Sequence, residues 1–156
     1  MIPSLQALLA DWKVTRSVTL GFLEELSETD LDKKLPRNVL NTIRLQAYEL
    51  TLFQRDAVNS LGTDVFAFEE EYIYVNMPTK ELIKRMEELD AQLEKALETL
   101  DGTETMDYYG EKQNVHQIIS MMNGHENMHI GQIIAFCYAT GIKIPESIAE
   151  PMALEG

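Results

Sequence analysis

Two histidines set four residues apart, His125 and His129, are the side chains of this sequence best placed for metal chemistry. On a helix, an i, i+4 pair projects both imidazoles from one face, a turn apart, so both can reach one ion at about 2.0–2.1 Å. The pair falls within the apolar stripe Ile118, Met122, Ile133 and Phe136. Burying two imidazoles without partners is costly, and a shared divalent ion would satisfy both. His116 lies nine residues before His125, which is about 180° around a helix turning about 100° per residue. It is expected on the surface or toward a loop, outside the site.

Two histidines seldom hold a metal alone, and Glu49 is the candidate third ligand. Leu45, Leu52 and Phe53 flank it at helical spacing, which tilts it toward the interior; the same spacing also fits a glutamate at the edge of its stripe. An inward carboxylate needs a compensating partner, and a metal on a facing helix supplies one. Gln46 and Tyr48 are weaker alternatives on the same helix. Gln132, three residues after His129, is either a hydrogen-bonding partner for water or ligand at the metal, or a capped surface amide. Glu126 points about 100° away from His125 and is assigned to the surroundings of the ligands or to an ion pair. Gly131 is expected to permit close helix packing, and Cys137 to be a small buried hydrophobe. Tyr108 and Tyr109 are candidates for the mouth of the site.

The string His125-Glu126-Asn127-Met128-His129 also matches HExxH, the zinc-peptidase helix whose glutamate activates water. Such peptidases need a downstream ligand and a sheet edge that holds the peptide. No GxxH follows His129, Glu146 and Glu150 lie in a proline-punctuated tail, and no strand set precedes the motif. A metallopeptidase is therefore the least favoured reading.

Long helices must position these residues. The first is expected from Pro3 to Leu26, with Leu5, Leu8, Leu9, Trp12, Thr15, Val18, Phe22 and Leu26 at three- and four-residue steps. Ser27 and Asp30 then suggest a capping box that opens a short turn, closed by Pro36. A second helix is expected from Asn38 to Leu61, with Leu40, Ile43, Ala47, Leu50, Val58 and Leu61 in one stripe and Gly62 as its C-terminal cap. The third runs from Thr79 to Leu100, and the fourth from Gln113 to Thr140, ended by Gly141. Residues 63–78 break the periodicity: Phe66, Phe68, Tyr72, Tyr74 and Val75 surround three glutamates, and the alternation in YIYV predicts a short extended piece. A connection this long covers a site or interface, or is a simple crossover. The tail, with its two prolines, is expected to lie against the helices. Four helices and no convincing strand pair predict an all-α fold, an antiparallel four-helix bundle forming one domain over residues 1–156.

Composition sets the outer bounds. The chain is long enough to bury a core, and its 45% apolar and 25% charged residues suit a globular domain. A net charge of −13 with no basic stripe sets it against nucleic-acid phosphates and anionic membranes, so neither is expected as a partner. No apolar run approaches the roughly 20 residues of a membrane span. Asp11 and Lys13 fall where a signal peptide would stay apolar, and the lone Cys137 excludes an intrachain disulfide, so a cytoplasmic location is expected.

The segment HENMHIGQIIAFCYATGIKIP resembles the last helix of the DinB-like (DinB/YfiT-type) metal-binding bundles, in which HxxxHxGQ, a helical run and a glycine recur. NTIRLQAYEL resembles that family's second-helix motif, and MDYYGEKQNV the approach to the last helix in one branch. The similarity spans essentially the whole chain in helix order. The resemblance implies a divalent ion, commonly nickel or zinc, held by one histidine of the second helix and two of the last. The last two map onto His125 and His129. The helix-two histidine maps onto Glu49, where this sequence departs from the usual pattern, so the resemblance singles out the carboxylate that spacing left open. Two histidines and a carboxylate suit zinc, nickel, iron(II) or manganese. The resemblance further implies a metal-dependent enzyme acting on a small molecule, a thiol-dependent transferase or a hydrolase. A low-molecular-weight thiol is then a candidate partner, and a homodimer a candidate assembly. The alternative from another class is a metal-binding or stress-associated module without catalysis.

Overall fold

Pro3 sits in the first turn of α1 (Pro3–Glu25), where its missing N–H is no loss. The inward side of α1 carries Leu5, Leu9, Trp12, Phe22 and Leu23, but also the buried polar residues Thr15, Arg16 and Thr19. Ser27 caps the one-turn α2 (Glu28–Leu31) by accepting from the Asp30 N–H. The structure is a computed structural model and describes residues 1–67 and 75–154. The extended piece expected at YIYV lies outside the described residues, except for Val75.

The second long helix, α3 (Ile43–Thr63), starts later than its stripe suggests. Thr42 is its N-cap and accepts from the Leu45 N–H at 3.1 Å. Leu40, just before it, has φ of 50°, a left-handed conformation that no helix continues. The other end is also displaced. Gly62 stays within the helix, and Asp64, with φ of 59°, supplies the left-handed cap. Next come α4 (Thr79–Glu98) and the hairpin β1 (Thr105–Tyr108) and β2 (Glu111–Asn114). Then α5 (Val115–Thr140) opens on a reciprocal capping box between Asn114 and Gln117, and α6 (Glu146–Ala149) is one turn in the tail.

The hairpin corrects the expectation that the chain has no strand pair. Thr105 pairs with Asn114 and Tyr108 with Glu111, leaving a two-residue turn at Tyr109 and Gly110. Both turn residues have positive φ, the backbone that matches the twist of paired strands. Phe66 N–H donates to Asp107 O, and Asp107 N–H donates to Asp64 O, so the chain leaving α3 is stitched to β1.

Contacts along the long helices fix their directions. The N-terminal amine ahead of α1 meets Glu98 O at the end of α4, whereas Arg16 meets Asp90 earlier in α4, so α1 and α4 are antiparallel. Glu49 faces His129 and Phe53 stacks on His125, so α3 and α5 are antiparallel as well. The other two pairs are parallel: Ser4 and Thr19 of α1 meet His116 and Glu126 of α5, and Arg44 and Gln54 of α3 meet Thr79 and Asp90 of α4. The wholly antiparallel order expected from sequence is therefore wrong for half the contacts. The long 64–78 connection explains why, since it returns the chain to the end where α3 began.

The apolar core falls into two clusters. One, toward the hairpin, holds Leu5, Trp12, Phe53, Phe66, Leu97, Val115 and Met122. The other, toward α6, holds Phe22, Ile43, Leu50, Ile133 and Phe136, with Ile144 and Ile148 of the tail folded against it as expected. Between the clusters lies a buried polar layer that includes Arg16, Thr19, Gln46, Glu49, Gln54, Glu126 and His129. Because α3 brings three of these residues to the layer, its start sets their register. Replacing the cap, Thr42→Ala, is expected to lower unfolding free energy by about 1 kcal/mol. Urea denaturation measures this, and a variant as stable as the parent would show that the cap does not hold the helix start.

Candidate metal centre

Helix α3 packs on both α4 and α5 and is buried on nearly every side. Its polar residues therefore cannot all turn to water, and Glu49 is buried on the α5 side. There Glu49 Oε2 lies 3.0 Å from His129 Nε2, and Oε1 lies 3.5 Å from His125 Nε2. One potential ligand atom from each of the three residues falls within 4.8 Å of the others. Two metal–ligand bonds of about 2.0–2.1 Å span a separation of about 4 Å, close to this spacing. Glu49 and His129 are buried, whereas His125 is half-buried and opens one side of the group.

The geometry suits convergence on an ion better than bonding between the side chains. Despite its closeness to His129, Glu49 Oε2 has no hydrogen-bond partner among the described residues, and neither has His129 Nδ1. A buried carboxylate oxygen left this way is costly unless something else neutralises it. The two imidazoles meet edge to face with ring centres 4.8 Å apart, and His125 lies on the Phe53 ring at 4.1 Å. Burial holds the His125 imidazole below its ordinary pKa, with His129 adding to the effect and the Glu49 carboxylate opposing it. That direction keeps His125 in the neutral form that binds metals. The donor set fits a divalent cation.

Of the other residues singled out in the sequence, several lie elsewhere. Tyr48 is turned toward α4, beneath the Arg85 guanidinium at 5.8 Å. Gln46 is fully buried, and neither amide atom has a partner among the described residues. Gln132 is half-buried and faces Arg37 Nη1 at 3.5 Å. His116 bonds Ser4 at 2.8 Å, away from the site as expected. Tyr108 is connected to His125 by a relay of rings, by way of Phe66 and Phe53, and Tyr109 is exposed at the hairpin tip. Gly131 does not serve close packing: it is exposed, and an added Cβ would meet nothing within 4 Å.

Glu126 makes an ion pair and faces α1. Its Oε1 accepts from the Thr19 hydroxyl at 2.6 Å, and its Oε2 lies 3.2 Å from Arg16 Nη2. Burial pushes this carboxyl's pKa up, and Arg16 and Thr19 pull it back. Arg16, Thr19, Gln54 and Asp90 are the neighbours that sequence reasoning missed. Their signal was present, since Thr15, Arg16 and Thr19 interrupt the apolar side of α1 between Trp12 and Phe22.

Among solved structures, a DinB-like protein from Bacillus cereus is similar with a TM-score of 0.71 and 19% identity, over 90% of this chain and 95% of that one. At that identity the likeness concerns the fold alone. No curated protein matches the chain. The model of the DinB superfamily matches residues 13–133, from the middle of α1 through both histidines. The chain belongs to the DinB superfamily.

Proposed function

We propose that this protein is a divalent-metal-dependent enzyme of small-molecule chemistry, built on a four-helix DinB-type bundle, with Glu49, His125 and His129 as metal ligands. The observation that carries this reading is the buried Glu49 carboxylate, set against two imidazoles with no hydrogen bond to spend on Oε2. Membership of the superfamily supports it. Zinc, nickel, iron(II) and manganese all suit the donor set. When bound, the ion supplies Lewis acidity toward a carbonyl, a thiolate or water.

The surrounding residues perform the remaining tasks. Half-buried His125 marks the side from which a small molecule approaches, and Phe53 covers one face of its ring. Phe66 backs Phe53 with ring centres 5.7 Å apart, and Glu49 and His129 are buried on the inner side. A thiol-dependent transfer must draw its thiol from a low-molecular-weight partner, because the chain's own cysteine is unsuited. Cys137 is fully buried, and burial pushes its thiol up to about 11. No helix among the described residues is long and apolar enough to cross a membrane.

Two other readings remain as outcomes of experiment. A metal-binding module without turnover would share the ligands and differ only in activity. The HExxH peptidase is disfavoured by Glu126, which is paired with Arg16 and Thr19 on the α1 side and so is not free to activate water at the histidines.

Metal analysis on tag-free protein tests the ligand set. Wild type is expected to carry close to one divalent ion per chain, and Glu49→Ala and His129→Ala far less; full occupancy in Glu49→Ala would remove that residue from the set. Metal-dependent consumption of a low-molecular-weight thiol separates an enzyme from a passive module, and casein should remain uncleaved. Cys137 gives an independent check. Iodoacetamide at mildly alkaline pH should leave the native protein unmodified and label it fully in urea, whereas rapid labelling of the native state would contradict a buried, high-pKa thiol.

A further inference from the structure

The two helices that carry the ligands also meet a single cation contributed by a third. Arg16 of α1 is 2% exposed and points into the buried polar layer. Its Nη2 donates to Gln54 Oε1 of α3 at 2.7 Å and lies 3.2 Å from Glu126 Oε2 of α5. One guanidinium nitrogen thus touches both α3 and α5. Gln54 lies five residues after Glu49 on α3, and Glu126 directly follows His125 on α5.

The guanidinium is itself held from several directions. Its carbon sits 4.7 Å over the Trp12 ring, and Nε is 3.6 Å from Asp90 Oδ1 on α4. Asp90 Oδ1 in turn accepts from Trp12 Nε1 at 3.0 Å and from Gln54 Nε2 at 2.7 Å. Thr19 fixes the far oxygen of Glu126. The guanidinium thus reaches α3 and α5 through Nη2 and α4 through Nε, two separated nitrogens of one rigid plane that a single ammonium point charge does not reproduce.

We propose that Arg16 is a positioning residue for the metal centre. By hydrogen-bonding Gln54 and pairing as an ion with Glu126, it sets the spacing and rotation of α3 against α5, and so the separation of Glu49 from the two histidines. This role rests on the reading of Glu49, His125 and His129 as metal ligands. Residues that orient metal ligands without touching the ion typically change affinity by about 10- to 100-fold when altered. A purely structural ion pair behaves differently, since replacing a buried pair by apolar groups of similar volume is often neutral or stabilising for the fold.

The test uses the full-length chain loaded with cobalt(II). Affinity is read by competition with a chromophoric chelator, and ligand geometry by the visible d–d bands. The variants are Arg16→Met combined with Glu126→Leu, and Arg16→Lys alone, with Glu49→Ala as the control for ligand loss. The double variant, which leaves buried Gln54 Oε1 and the Thr19 hydroxyl without these partners, is expected to fold with a melting temperature at or somewhat below wild type, and to bind cobalt at least about tenfold more weakly and with shifted bands. Arg16→Lys, which keeps the charge without the fork, should also weaken binding and shift the bands. If the double variant does not fold, Arg16→Lys alone decides the question. Wild-type affinity and wild-type bands in the folded variants would overturn the positioning role while leaving the metal site standing. A wild type that binds no cobalt would overturn the metal reading and this proposal with it.

Discussion

A layer of buried polar side chains crosses the middle of the core, and the arrangement of the long helices answers to it. Apolar contacts above and below the layer tolerate small rotations of a helix, because dispersion and the hydrophobic effect have little direction. Charges in a low-dielectric interior do not, because each needs its partner at bonding distance. Arg16 must meet Glu126, and Asp90 must meet Trp12 and Gln54. Satisfying these pairs turns one side of α5 toward α1. The face bearing His125 and His129 then falls against α3, where Glu49 is the buried carboxylate.

Topology follows the same logic at a larger scale. Arg44 at the start of α3 is bonded by Glu28 and Asp32 and by the Thr79 hydroxyl at the start of α4. That cluster holds the starts of two helices at one end, which is possible only if α3 and α4 run the same way. At the other end, the chain leaving α3 bonds to β1, and the N-terminal amine bonds Glu98 O at the end of α4. The metal-ligand candidates lie between these two fastened ends, at the height of the polar layer. A site built on helix interiors in this manner has its spacing set by rigid elements, with loops left to shape its entrance.

Much of this was legible in the sequence. The histidine pair and its face, the four long helices and the packing of the tail followed from a three-to-four residue period and from helix geometry. Glu49 did not follow from period alone. Helix α3 is buried between two neighbours, so its apolar residues spread over several faces and its stripe has no clean edge against which to judge position 49. The hairpin escaped because its strands are four residues long and bury only Met106, so alternation has nothing to report. Gly62 and Gly131 were assigned roles on residue type, and the structure places neither where such a role is needed. Asp64 takes the left-handed cap instead, a conformation aspartate tolerates better than most residues.

The HExxH string shows most directly why a motif must be read on a helix with neighbours. Its glutamate points about 100° around the helix from His125 and about 60° from His129, on the other side. What each direction meets decides its chemistry. Toward α3 the string meets a carboxylate, and two imidazoles beside a carboxylate make a candidate cation site. Toward α1 it meets a guanidinium and a hydroxyl, and a glutamate held by those becomes part of the frame. In a peptidase the glutamate must share solvent with the ion. Here α1, parallel to α5, occupies that direction, so the same five letters supply two candidate ligands and one strut.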